Sequence, residues 1–115
     1  MDLDISTDLV AIWHAMEDQL DAGLVKSIGV SNFTMDQLRR VQAAVRRHPI
    51  AVHQIELHAE FQQKEQRDFC AANNIVIMAY APLGSPSRPP SFSGAKRDTP
   101  SLLDNPVVKD IARAH

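Results

Sequence analysis

Only one cysteine, Cys70, occurs in 115 residues, so no internal disulfide can form, which fits a reducing, cytosolic compartment. No apolar run approaches the roughly 20 residues of a membrane span. The opening MDLDISTD has neither the basic n-region nor the apolar h-region of a signal peptide. Neither sign of charge dominates: 12 basic against 14 acidic residues leave a net charge of -2, with no global field to draw nucleic acid or an anionic membrane. Tyrosine occurs once, at Tyr80, and no internal repeat is evident. With 44% hydrophobic residues, the chain suits one globular domain or part of a larger one, and a soluble, cytoplasmic protein is expected.

What is present is an apolar period that switches between helical and extended values. From Asp8 to about Ala22, Leu9, Ile12, Trp13, Met16 and Leu20 draw one stripe on a helix that Ser6 or Thr7 can cap and Gly23 can end. VKSIGV then reads as a short strand. Thr34 with Gln37 three residues on predicts a capping box, and Met35, Leu38, Val41 and Val45 supply the next helical stripe. Arg46 and Arg47 fall at that helix's negative end, and Pro49 forbids its continuation. IAVHQIEL is a second strand, Gln62 to about Asn73 a third helix, and IVIMAY a third strand.

Strands separated by single helices cannot pair as hairpins, so an α/β fold with a parallel sheet is expected. Alternation puts Val52, Gln54 and Glu56 on one face of the second strand and His53, Ile55 and Leu57 on the other. On the third strand, Val76 and Met78 share a face with Tyr80. Three successive strands thus end in hydrogen-bonding or aromatic side chains, Ser31 with Asn32, then Gln54, then Tyr80, at the edge where parallel sheets gather binding groups.

After Tyr80 the composition changes: six of the seven prolines lie at or beyond Pro82. Residues 83–104 read as a long loop, either a linker or a binding loop on a strand's C-terminal end. Helix resumes at DNPVVKDIARAH, with Asn105 as N-cap, Pro106 in the first turn, and Val108, Ile111 and Ala112 able to face inward.

The segments GLVKSIGVSNFT, HQIELH and IMAYAPLGSP, in this order, resemble consecutive segments of the aldo-keto reductase family, and SLLDNPVVKDIARAH resembles the segment that follows. The family fold is a (β/α)8 TIM barrel that binds a nicotinamide cofactor, usually NADPH, across the C-terminal ends of its strands. The resemblance implies that residues 1–115 are an incomplete barrel domain of about three strands, with residues 83–104 a cofactor-side loop. It implies that Ser31, Asn32 and Gln54 hydrogen-bond the nicotinamide carboxamide, that Tyr80 stacks on its ring, and that Leu83 and Ser85 belong to a pyrophosphate-holding segment. Taken alone, Gln54 is a strand-end amide, Tyr80 a core residue, and Ser31 with Asn32 a loop before a helix.

The chain also departs from the family. The catalytic Asp, Tyr, Lys and His lie on earlier strands and have no counterpart here, so no catalytic residue is assigned. The basic segment that holds the 2′-phosphate is likewise missing. Ala81 stands where many members have serine, Ser87 where several have a latching aspartate, His53 for a common asparagine and Ala59 for a common proline. His53 and His58, five apart on a strand, face opposite ways, so no metal site is expected. Arg39, Arg40, Arg46 and Arg47 lack interleaved aromatics and read as a solvated face.

Two functions follow as expectations. One is the cofactor-binding middle of an NADPH-dependent reductase of small carbonyl substrates, inactive alone. The other is a noncatalytic product or binding module that completes its sheet with another chain. Uncovered strand faces make self-association of the fragment expected.

Overall fold

A computed structural model describes residues 8–85 and 101–115. Their order is helix α1 (Leu9–Asp21), strand β1 (Gly29–Ser31), α2 (Met35–Ala44), β2 (Val52–Glu56), α3 (Lys64–Ala72), β3 (Val76–Tyr80), a 3-10 helix (Leu102–Asp104) and α4 (Pro106–Ala114). The class is the expected one, with three parallel strands in the order β1-β2-β3 alternating with helices. The described residues divide into two compact units, residues 8–55 with 64–78, and residues 56–63 with 79–85 and 101–115. No helix among them is long and apolar enough to cross a membrane.

In the first unit α1 is capped by the Asp8 carboxylate, which accepts from the Val10 N–H. The residues expected to cap it, Ser6 and Thr7, lie outside the described residues. Its C-terminus is a Schellman turn: Gly23, at φ 72°, donates to the Leu20 carbonyl, and Leu24 donates to that of Gln19. The buried stripe is rotated from the expected one. Leu9, Trp13, Met16 and Leu20 pack on the core, but Ile12 is exposed and Glu17 is fully buried in its place.

That carboxylate also explains why α2 is shorter than its sequence suggests. Thr34 and Gln37 form the expected capping box, and Leu38 and Val41 are fully buried, yet the helix stops at Ala44 rather than running to Pro49. Glu17 Oε1 accepts the backbone N–H groups of Arg46, Arg47 and His48 at 3.0, 2.9 and 3.1 Å. Amides gathered on one carboxylate cannot continue an i to i−4 ladder. Arg46 and Arg47 therefore lie past the helix, and Val45 turns extended while still packing on the core. The His14 ring joins Nε2 to the Ala44 carbonyl at 2.9 Å, a second tie between α1 and the end of α2.

The sheet is held in register by Gly29 opposite Val52, Val30 opposite His53 and Ser31 opposite Gln54. Gly29 is there for closeness: a Cβ would sit 2.3 Å from Val52 Cγ1 and 2.4 Å from its carbonyl oxygen. The helix-side face carries the core, with Ile28, Ile50 and Ile75 buried beside Trp13, Leu38, Val41 and Cys70. His53 and Ile55 of β2 share that buried side, as alternation requires. The opposite face is open, with Val76 65% and Met78 49% exposed, whereas a strand of an all-parallel sheet is normally covered on both sides.

In the second unit the 3-10 helix and α4 fall within and after the stretch expected as loop. Ser101 and Asn105 cap them through side-chain oxygens, and Pro106 opens α4 as expected. The inward face expected for α4 is not formed: Ile111 and Ala112 are exposed, and only Val108 is partly covered. Leu102 is the buried apolar anchor of this unit, and Asn105 donates from Nδ2 to Glu60 at 2.7 Å.

Burial alone would raise the Glu17 carboxyl, but the three backbone donors outweigh it and hold the pKa at about 2 instead of 4.5. A depressed carboxylate contributes stability that is present above pH 4.5 and lost as pH falls toward 2. Glu17→Gln should therefore cost roughly 2 kcal/mol at pH 7, since hydrogen bonds to a charged group exceed those to a neutral one. Denaturant melts of parent and variant should converge as pH falls toward 2. A gap that stays constant with pH would contradict the assignment.

Candidate functional site

The C-terminal ends of β1 and β2 meet through a single acceptor. The Gln54 carbonyl takes the Asn32 backbone N–H at 2.9 Å and the Ser31 hydroxyl at 3.1 Å. Asn32 then donates from Nδ2 to Ser31 Oγ at 3.2 Å. Asn32 turns the chain out of the strand at φ 56°, in the left-handed region that asparagine tolerates better than most residues. Ser31 and Asn32 are exposed and Gln54 is half-buried, so a hydroxyl and two primary amides stand together at one strand edge. The Gln54 amide donates to Met78 Sδ at 2.8 Å, a weak acceptor that a carbonyl oxygen could replace.

Beneath this edge lies His53, fully buried. Its Nε2 is 3.3 Å from the Phe33 backbone N–H and accepts from it, so the neutral ring carries its proton on Nδ1. Nδ1 faces Cys70 Sγ at 3.9 Å, and the Phe33 ring meets the imidazole edge-on, with centroids 6.5 Å apart. Burial pushes the His53 pKa down and the Cys70 pKa up, so both stay neutral. The pair is therefore not a thiolate–imidazolium nucleophile, and Cys70 is the small buried residue expected on α3.

The remaining expected site residues belong to the second unit. Tyr80, half-buried, accepts the Leu57 N–H through its carbonyl at 3.3 Å. After it the chain makes a tight turn, the Gly84 N–H donating to the Ala81 carbonyl at 2.8 Å with Pro82 between. Ala81, Gly84 and Ser85 have φ of 49°, 72° and 50°, so the backbone winds sharply here. Leu83 is 55% exposed on this turn and Ser85 is half-buried. Ser87 lies outside the described residues. No group of three or more His, Cys, Asp or Glu among the described residues could hold a metal ion.

Ser31, Asn32 and Gln54 are thus brought together in one unit, while Tyr80, Leu83 and Ser85 sit on the strand tip and turn of the other. Sequence reasoning gave His53 no role. Its signal was available in the alternation of β2, which put a lone imidazole on the core side.

Comparison with known proteins supplies the context. The Aldo/keto reductase family model matches residues 2–105. The aldo/keto reductase slr0942 of Synechocystis sp. is 43% identical over 90% of this chain and 31% of its own length. The NAD(P)H-dependent 6'-deoxychalcone synthase of Glycine max is 36% identical over 94% of this chain and 31% of its own. Human aldo-keto reductase family 1 member C1 is 39% identical over 96% and 33%. A crystal structure of an aldo/keto reductase from Brucella melitensis superposes with a TM-score of 0.70 at 36% identity, covering 90% of this chain and 34% of that one. The chain spans about a third of the length of the curated relatives it matches.

The left-handed turn gives a test of the site's frame. Asn32→Val should destabilise the chain by about 1–2 kcal/mol, the cost of a Cβ-branched residue in that region, whereas Asn32→Gly should be nearly neutral for stability. Chemical denaturation of both variants checks this. Equal losses would mean that the side-chain amide, not the backbone, holds the turn.

Proposed function

As a member of the aldo/keto reductase family, this chain, we propose, supplies the nicotinamide-holding edge of an NADPH-dependent carbonyl reductase. The observation that carries the proposal is the Gln54 carbonyl, which joins Ser31 and Asn32 to the strand bearing Gln54. A primary carboxamide offers two donors and an acceptor with two lone pairs, and a hydroxyl with two amides can satisfy it while locking its rotation. That donor set fits the cofactor's carboxamide. The family resemblance assigns stacking on the ring to Tyr80 and pyrophosphate contact to the Leu83–Ser85 turn. Bound NADPH would supply the hydride for reduction of a small carbonyl substrate to an alcohol.

What these residues do is bind and orient. Reduction leaves negative charge on the substrate oxygen, which a positioned acid must neutralise. The family's Asp, Tyr, Lys and His have no counterpart here, and Tyr80 is the sole tyrosine. The chain alone is therefore catalytically silent. The near-balanced charge and single cysteine support our reading of a cytoplasmic protein without a nucleic-acid or membrane partner.

A second reading is favoured by one observation, the exposure of Val76 and Met78 on the sheet. A noncatalytic chain that completes its sheet with another chain would cover that face.

Purified chain should show no carbonyl-dependent oxidation of NADPH, and turnover abolished by Tyr80→Phe would mean that Tyr80 is the acid. NADPH titrated into isotope-labelled chain should shift the amides of Ser31, Asn32, Gln54 and Tyr80. Tyr80→Phe should bind nearly as well and Tyr80→Ala roughly tenfold more weakly, from lost stacking and lost apolar area; unchanged binding by Tyr80→Ala would return that residue to a packing role. Sedimentation should show self-association, because the open face leaves apolar area uncovered at about 25 cal/mol per Å². A strictly monomeric species with a cooperative melt would count against it.

A further inference from the structure

We propose that His53 is a positioning residue for the Ser31–Asn32 pair, acting as a neutral, Nδ1-protonated strut whose Nε2 holds the Phe33 N–H. The inference rests on the nicotinamide-site reading given above and adds a residue to it. The turn after β1 has to leave the strand at Asn32 and enter α2 at Thr34, and Phe33 is the one residue between them. Its N–H points to the buried imidazole, whose Nε2 accepts it at 3.3 Å. The Phe33 ring lies edge-on to the same imidazole, so His53 fixes this residue through both backbone and side chain.

The strut is anchored on the strand that carries the other half of the site. His53 precedes Gln54 on β2, and its ring points to the helix side while Gln54 points to the open side. The Gln54 carbonyl holds Ser31 and Asn32, and the His53 ring holds Phe33. Three consecutive residues, Ser31 at the end of β1 and Asn32 and Phe33 of the turn, are thereby fixed to two consecutive residues of β2. An acceptor is required at the Nε2 position, and Cys70 Sγ, 3.9 Å from Nδ1, leaves the other nitrogen as donor.

The test uses NADPH and its 3-acetylpyridine analogue, in which the carboxamide is replaced by an acetyl group. Long-range nitrogen–proton correlation on the parent chain should show His53 protonated on Nδ1 and bare on Nε2; a proton on Nε2 would overturn the proposal even if every variant failed to fold. His53→Phe should speed exchange of the Phe33 amide and lower the preference for NADPH over the analogue about fivefold, the worth of one hydrogen bond. His53→Gln, whose side-chain oxygen reaches the Nε2 position, should restore both. A purely structural role would weaken the two ligands equally and leave the preference unchanged, which overturns the positioning role. If Ser31→Ala and Gln54→Ala also leave that preference unchanged, the nicotinamide-site reading fails instead, and Phe33 exchange then decides whether His53 holds the turn.

Discussion

One carbonyl oxygen, that of Gln54, determines how the β1 end is presented. Its two lone pairs take the Asn32 backbone N–H and the Ser31 hydroxyl, so one main-chain amide and one side chain at the end of β1 are held by the main chain of β2. The parallel register makes this geometry available, because Ser31 lies opposite Gln54. Register in turn depends on Gly29, which lets β1 approach Val52 where a methyl group would collide. A shift of one residue would turn Gln54 toward the helices and His53 toward the open face, exchanging a polar edge for a buried one.

Polar groups are buried in this protein where they terminate structure. Glu17 ends α2 by collecting three amides, and His53 receives the amide just after the β1 turn. Both satisfy part-buried backbone donors, and a buried hydrogen bond left unmade costs about 1–3 kcal/mol. The helix side of the sheet carries the core, tied down by two ionisable groups, Glu17 ionised and His53 neutral. The other side is incomplete, with Val76 and Met78 open. A chain spanning about a third of its relatives' length would show this asymmetry if the missing wall came from further strands.

Much of this was legible in the sequence because it is local. The Thr34–Gln37 capping box, the Gly23 turn, the Asn105–Pro106 helix start and the alternation of β2 each depend on neighbours within a few residues. The early end of α2 was hidden because its cause, Glu17, lies 29 to 31 residues away. Glu17 did fall inside the α1 stripe, four residues after Trp13, but an acid there reads as solvent-facing unless its partners are known. The exposed Ile111 and Ala112 of α4 failed in the other direction: amphipathic spacing predicts a face, not what lies against it. The site residues were read from resemblance rather than periodicity, since Ser31, Gln54 and Tyr80 are each unremarkable alone.

The central claim is that the nicotinamide carboxamide is held by Ser31, Asn32 and Gln54. The most direct measurement is the set of intermolecular nuclear Overhauser contacts between the carboxamide protons of bound NADP and the chain. Contacts to the side-chain amides of Gln54 and Asn32, lost on titration with the acetylpyridine analogue, are the predicted result. Binding seen only through adenine or ribose protons, with none from the carboxamide to these residues, would contradict it.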